Sequence, residues 1–290
     1  MIPLDLSGKV ALVTGVSDNE SFAWSIAKTL QAAGARLVFA VHPRVTGIVE
    51  MFLSNEQDAA ARVLPFGKGN IHVEKVIPCD VSYDTMADVD DKTKSDRRYV
   101  KHGDFTLQGL HDKLEKEYPQ IDILIHSVAF SAEVKKTQRD TSRAAYLQAL
   151  SISAYSLTAL LRTISPMMKQ GGSVVSLSYL GGDRVVPHYG GGMSTAKAAL
   201  QIDTKQLAFN YGKENIRVNT ISAGPYASRA AKGIGDIEQM IQHAAEKSPL
   251  PRGITAEEVA NATLFLCSPL ASGITGHVLY VDCGFNIMGI

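Results

Sequence analysis

The chain reads as an α/β fold: a doubly wound parallel sheet with helices on both faces. Two observations predict it. Short β-branched runs alternate with longer helical patterns along nearly the whole sequence. The runs are also apolar at most positions, as strands covered on both faces must be. In order, the strands are Val10–Thr14 (VALVT), Arg36–Val41 (RLVFAV), Val73–Pro78 (VEKVIP), Ile123–His126 (ILIH), Ser173–Leu177 (SVVSL), Arg217–Ile221 (RVNTI) and Val278–Asp282 (VLYVD). Helix-like stretches separate them at Phe22–Ala33, Thr106–Tyr118, Thr141–Met168, Met193–Tyr211 and Ala256–Leu266. No internal repeat and no Pro, Gly or Ser-rich linker divides the 290 residues, so one domain over 1–290 is expected. Two stretches break the rhythm, 46–71 and the charge-dense 83–104. Each is either a solvated surface insertion or a flap beside a ligand mouth.

Composition narrows the function classes. The 29 basic and 29 acidic residues cancel, which argues against nucleic acid or an anionic membrane as partner. Cys79, Cys267 and Cys283 are too few and too far apart for a disulfide framework or a zinc site, which fits a reducing compartment. No uninterrupted apolar run reaches the ~18 residues of a membrane span, and the early first strand leaves no room for a secretory signal.

Loops after the strands carry the chemistry. Gly15 permits a tight turn between the first strand and first helix, where free N–H groups and the helix dipole suit a pyrophosphate. The usual second and third glycines are missing; Ser21, Phe22 and Ala23 stand there instead. After the second strand comes FAVHPR, with no acid to grip a ribose diol. His42 there is either an adenine-stacking ring or a solvated loop residue, and Arg44 either a partner for a 2′-phosphate or equally solvated. Asp80, with Val81, closes the third strand; it is an acceptor for an adenine amino group or a turn aspartate capping backbone. Ser127, Val128 and Ala129 close the fourth strand, and Ala223, Gly224 and Pro225, followed by Ser228, close the sixth. Ligands of such sheets bind outside the carboxyl ends of the strands where strand order reverses, which makes the fold Rossmann-like and brings these loops to one crevice.

The most informative stretch is SYLGGDRVVPHYGGGMSTAK, ending at Lys197. Hydride addition to an unsaturated carbonyl puts charge on its oxygen, and a tyrosine hydroxyl is a fit donor there. Ordinary short-chain reductases place Tyr four residues before Lys, but Met193 holds that position and Tyr189 lies eight before Lys197. Eight helical residues would separate the side chains by about 80° of rotation and about 12 Å of rise. Three glycines are poor helix interior, so Tyr189 is expected before the helix, in a loop that Gly190–Gly192 fold back over the Met193–Lys197 turn. The small neighbours of Lys197 suggest a packed face rather than a solvated one. Tyr179 is a second donor or a lid on the pocket, and Met193 is pocket wall for an apolar chain.

Together these segments resemble the enoyl-acyl-carrier-protein reductases of type II fatty-acid synthesis, a divergent branch of the short-chain dehydrogenase/reductase family. The residues that carry the likeness are Gly15-x5-Ser21-x-Ala23, Cys79-Asp-Val81, His126-Ser127, Ser178-Tyr-Leu-Gly181, Tyr189-Gly-Gly-Gly-Met-Ser-Thr-Ala-Lys197, Arg217-Val-Asn219, Ser222-Ala-Gly-Pro225 and Tyr280-Val-Asp282. The extra residue between Tyr189 and Lys197 and the run Ser228–Gly235 look most like the plastid, apicomplexan and chlamydial subgroup. The resemblance implies NADH (with NADPH left open) as cofactor, Tyr189 as donor to the enolate, Lys197 as the ribose-binding cation, and Tyr179 bordering the acyl chain. It makes Ser228–Asp236 a mobile substrate loop, with Ala230 and Ile234 at the substrate and no role for Arg229. It further implies an acyl carrier protein as partner, a homotetramer to which the tail 285–290 contributes, and a bacterial cytoplasm or a plastid stroma as compartment. One departure stands out: the subgroup carries Trp after the second strand, where this chain has His42. The competing reading is an ordinary short-chain dehydrogenase acting on a ketone or alcohol.

Overall fold

The computed structural model of the chain describes residues 4–169, 171–228, 231 and 237–289. Seven strands, β1 (Val10–Thr14), β2 (Arg36–Val41), β3 (Val73–Pro78), β4 (Ile123–His126), β5 (Gly172–Ser178), β6 (Ile216–Ala223) and β7 (Val278–Val281), join one sheet in the order β3-β2-β1-β4-β5-β6-β7. Every pairing is parallel. All seven expected strands exist, with small shifts at the ends of β5, β6 and β7.

Period-two alternation splits the core into two layers. Val13 and Phe39 point to the face covered by α1 (Phe22–Ala32), α2 (Thr46–Ser54) and α7 (Ala256–Cys267). Leu12 and Val38 point to the other, covered by α3 (Leu107–Glu115), α4 (Arg143–Met167) and α5 (Met193–Tyr211). Helix α6 (Ile237–Lys247) follows the β6 loop. Trp24 fills the first layer edge-on to Phe52 at 5.0 Å, so α2, inside the stretch 46–71, belongs to the core and not only to a solvated insertion. The sequence pattern missed α2 because its buried face is just Thr46, Val49 and Phe52.

Helix α4 has the length and hydropathy of a membrane span, 25 residues with a mean hydropathy of 1.3 in its most apolar window. Here its Leu157, Leu160, Leu161 and Ile164 are fully buried in the second layer. One π-helical turn, Ser151–Tyr155, interrupts it. Such turns re-aim side chains in otherwise regular helices. Here the turn carries Ser153, which accepts the Phe130 amide at 2.9 Å and lies 3.7 Å from the Met193 sulfur.

Strand order reverses between β1 and β4, and the loops leaving these two strands touch. Gly15 has φ +80°, and a Cβ there would lie 1.9 Å from the Ser127 carbonyl oxygen. Thr14 Oγ1 bonds the same loop, donating to the Ile125 carbonyl at 2.9 Å and accepting the Ser127 amide at 3.3 Å. A side chain at 15 must therefore pry the two strand ends apart. Gly15→Ala is expected to cost about 2 kcal/mol or more, from the left-handed backbone and the clash combined. A urea-unfolding midpoint equal to that of the parent protein would show that the close approach is not real.

Candidate active site

The helix–loop pair that ends in Lys197 forms the centre. Lys197 sits in the first turns of α5, with only 6% of its surface exposed. Its ammonium donates to the Leu177 carbonyl on β5 at 2.7 Å, its one hydrogen bond among the described residues. Burial lowers its pKa to about 8, because an ammonium loses most of its hydration there. Two N–H bonds remain for a ligand.

Beneath it lies His126, wholly buried at the end of β4. Its Nε2 is 2.7 Å from Ser156 Oγ, which itself donates to the Ile152 carbonyl. The imidazole must then carry its proton on Nε2, which leaves Nδ1 as a buried acceptor with no partner among the described residues. Burial first, and the nearby Lys197 charge second, push His126 down to about 3, so it is neutral throughout the useful pH range.

Tyr189 precedes α5, as its spacing required, and is 8% exposed. It packs with Ala149, Met193 and Ala196, and its ring meets Tyr179 edge-on at 5.0 Å. Burial raises both phenols, Tyr179 to about 12 and Tyr189 further still. Both keep their protons at neutral pH. The glycines between Tyr189 and Met193 have a steric cause that spacing did not reveal: Gly190 and Gly191 press on the loop 131–137, and Gly192 on Tyr146. A Cβ on Gly190 would stand 1.8 Å from the Lys136 carbonyl oxygen. Gly191 and Gly192 have positive φ, and Ser131 Oγ donates to the Gly191 carbonyl at 2.7 Å. The expected return over the helix start is also present, since Ser194 Oγ donates to the Tyr189 carbonyl at 3.1 Å.

At the other end of the crevice, Asp80 is buried after β3. Its Oδ1 accepts the Ser82 amide at 3.0 Å, while Oδ2 lies 3.3 Å from His42 Nε2 and accepts the Tyr99 hydroxyl at 2.9 Å. Burial alone would raise this carboxyl, but the His42 hydrogen bond and charge hold it down to about 2. Arg44 is engaged too, with its guanidinium 5.4 Å from the Tyr99 ring centre and 3.7 Å from Asp96. Tyr99 and Asp96 come from the stretch 83–104, whose Val89 and Tyr99 form a small core with Phe105 just after it. That stretch borders the crevice through the contact of Tyr99 with Asp80, the side on which the flap alternative placed it.

Between these ends, Ser21 caps α1 by accepting the Trp24 amide, and the buried Ala23 lets α1 pack close. Phe22 stacks on Tyr226 at 4.9 Å, tying the β1 loop to the β6 loop of Ala223, Gly224, Pro225 and Ser228. Val81 and Val128 are partly buried after β3 and β4, and Ala129 is exposed. Tyr179 also borders a cavity of about 410 Å³ whose walls include Leu180, Val186, Met240, Phe285 and Met288. The tail thus packs inward, with Phe285 edge-on to His243 at 5.9 Å, while Ile287 is 71% exposed. Arg229, Ala230 and Ile234 lie outside the described residues. No His, Cys, Asp and Glu grouping fit for a metal occurs among the described residues.

Comparison with known proteins agrees with this geometry. The family model described as Enoyl-(Acyl carrier protein) reductase matches residues 100–286. The chloroplastic enoyl-acyl-carrier-protein reductase (NADH) of Arabidopsis thaliana is 45% identical over the whole chain and 74% of its own length. The enoyl-acyl-carrier-protein reductase (NADH) FabI of Nostoc sp. is 40% identical over 99% of this chain and all of its own length. Among solved structures, the enoyl-acyl-carrier-protein reductase of Plasmodium berghei with triclosan superposes with a TM-score of 0.93 at 38% identity, over 97% of this chain and 99% of that one. The Anaplasma phagocytophilum enzyme in complex with NAD superposes with a TM-score of 0.80 at 33% identity, over 98% and 96%.

The glycine run makes a local prediction. Gly190→Ala should shift the Tyr189 loop off residues 131–137 and lower turnover by roughly tenfold or more, since ångström-scale displacement of a reacting group costs that much or more. The thermal midpoint should fall by only a few degrees. Turnover at the parent rate would disprove the contact.

Proposed function

This chain belongs to the enoyl-(acyl carrier protein) reductase family, and we infer from that membership that it reduces enoyl-acyl-carrier-protein thioesters in fatty-acid synthesis with NADH as donor. It is an oxidoreductase, and the bound dinucleotide supplies the hydride. Three observations support the fit of that cofactor: the tight turn at Gly15 where strand order reverses, the capped N-terminus of α1 beside it, and the two unspent N–H bonds of buried Lys197.

The roles of individual residues follow from their surroundings. Tyr189 donates its hydroxyl hydrogen bond to the thioester oxygen, where charge collects as the double bond is reduced, and then serves as proton donor to the enolate. Lys197 holds the ribose and adds positive charge to a dry site. Tyr179 lines the acyl side, next to the cavity closed by Val186 and Met288, with Met193 as wall. Ser127, Val128 and Ala129 back the ribose, and Ala223, Gly224, Pro225 and Ser228 frame the nicotinamide amide. Asp80 and Val81 meet the adenine. His42 stays with Asp80 at the rim, and Arg44, already engaged, is withheld from a 2′-phosphate, which favours NADH. The carrying observation is Tyr189 standing before α5, packed on Tyr179 and Met193, so that the position four before Lys197 is filled by a thioether. Ketone reduction of the ordinary short-chain type lacks its tyrosine there and is not favoured.

An acyl carrier protein is the partner that delivers the thioester. The exposed Leu147 on α4 and Ile202 and Phe209 on α5 support self-association, for which we propose a homotetramer. A plastid stroma or a bacterial cytoplasm suits the enzyme, given chloroplastic and bacterial relatives.

With NADH and a dodecenoyl thioester, Tyr189→Phe should lower kcat about 10²-fold or more and Tyr179→Phe by less than about tenfold. Equal losses would reverse the assignment, and an untouched thioester with the parent protein would refute the reaction. The pH profile tests Lys197 separately. Its folded pKa of about 8 lies below the ordinary 10.5, so the protonated, active form is lost as pH rises through about 8. For the same reason its burial penalty on stability is relieved between those two values. kcat/KM for NADH should therefore fall above about pH 8, while both phenols remain protonated. A profile flat to pH 10 would show that the ammonium is not needed.

A further inference from the structure

Tyr99, in the charge-dense stretch 83–104, reaches the adenine end of the crevice. Its ring is 2% exposed, packed edge-on against Phe105 at 4.8 Å and His42 at 5.8 Å. Its hydroxyl donates to Asp80 Oδ2 at 2.9 Å and lies 3.2 Å from His42 Nε2. On the open side the Arg44 guanidinium covers the ring at 5.4 Å, a cation–π contact that resists rotation of the phenol. The short helix Arg97–Val100 that presents it is capped by Asp96, which accepts the Arg98 amide.

We propose that Tyr99 is a positioning residue for the dinucleotide: its hydroxyl fixes the plane of the Asp80 carboxylate, and so sets how well the adenine half is held. The terminal torsion of an aspartate is broad, so the Ser82 amide on Oδ1 does not by itself fix the carboxylate plane. On Oδ2 the half-exposed His42 stands at 3.3 Å, whereas the buried Tyr99 donates at 2.9 Å from a segment 19 residues further along the chain and is the shorter, more rigid hold. A carboxylate clamped at both oxygens by charge-assisted hydrogen bonds is preorganised, and the lone pair left on Oδ1 then has one direction in which to accept an amino group. The stretch 83–104 thereby acts on cofactor affinity, at a distance from Tyr189 and Lys197. The inference rests on the assignment of Asp80 to the adenine, made above.

Steady-state kinetics with NADH varied at saturating dodecenoyl thioester separates the cases. Tyr99→Phe keeps the packed ring and removes only the hydroxyl. It should raise the KM for NADH roughly tenfold, the order expected for losing a hydrogen bond to a charged group, with kcat nearly unchanged. Tyr83→Phe is the control. It removes hydroxyl contacts to Asp90 and Thr93 in the same stretch without touching Asp80, and it should leave that KM where it was. An unmoved KM in Tyr99→Phe, an equal rise in both variants, or a fall in kcat of the same size would overturn the proposal. Asp80→Asn keeps the two readings apart. A KM rise there with none in Tyr99→Phe defeats the role of Tyr99 alone, whereas no rise in Asp80→Asn defeats the adenine assignment itself.

Discussion

A buried ammonium organises this molecule. Taking Lys197 out of water costs several kcal/mol, which a single carbonyl cannot offset in full. The Leu177 oxygen that holds it comes from the central sheet, between β4 and β6, which cannot yield to bring further partners. The deficit shows as a lowered pKa, and it leaves donors directed at a ligand rather than at the protein. His126 compounds the effect: neutral and oriented by Ser156, it adds no counter-charge below the cation. An anionic or polyhydroxylated ligand is what such a cation still lacks. Stability given up at Lys197 is affinity held in reserve.

The two tyrosines divide along the same physical line. Tyr189 is almost fully enclosed by α4, α5 and the aromatic edge of Tyr179, so charge developing at its hydroxyl faces little water. Tyr179 sits on the open flank, against a cavity walled by the β5 loop, α6 and the tail. Electrostatic stabilisation is worth most where the dielectric is low. One phenol therefore suits the reacting oxygen and the other suits the chain that leads away from it. The apolar tail contributes to that wall, which gives it a local use besides any contact between subunits.

Much of this was legible in the sequence. Strands declared themselves because a parallel sheet buried on both faces demands continuous apolar runs, and Val10–Thr14 or Ile123–His126 have no other reading. Gly15 and the Tyr189–Lys197 interval were legible because each breaks a steric rule that only a special backbone can satisfy. What escaped notice has a common cause. Tyr99, Asp96, Ser131 and Ser153 act through contacts between segments far apart in the chain, and nothing in their own neighbourhood is periodic. Helix α2 was missed for the opposite reason: its three buried residues are too few to print a helical stripe. His126 belonged to a recognisable segment, but its neutrality follows from burial and a cation, both set by the tertiary structure.

The glycine run shows how a spacing and a tertiary contact explain one another. Read alone, three glycines between Tyr189 and Met193 mean flexibility. In the folded chain they mean the reverse, because Gly190 and Gly191 approach the 131–137 loop more closely than a Cβ allows, Gly192 has a left-handed backbone against Tyr146, and main-chain hydrogen bonds from Gly190 and Gly191 to Val134 and Lys136 lock the approach. Tyr189 is thus held from two sides, by the loop after β4 and by Ser194 at the start of α5. A tyrosine on the helix itself would need no such support, but it would stand one turn from Lys197 and leave no place for the Met193 side chain. The longer interval trades helical rigidity for a buttressed loop, and the position one turn before Lys197 goes to the Met193 thioether, packed against Tyr189.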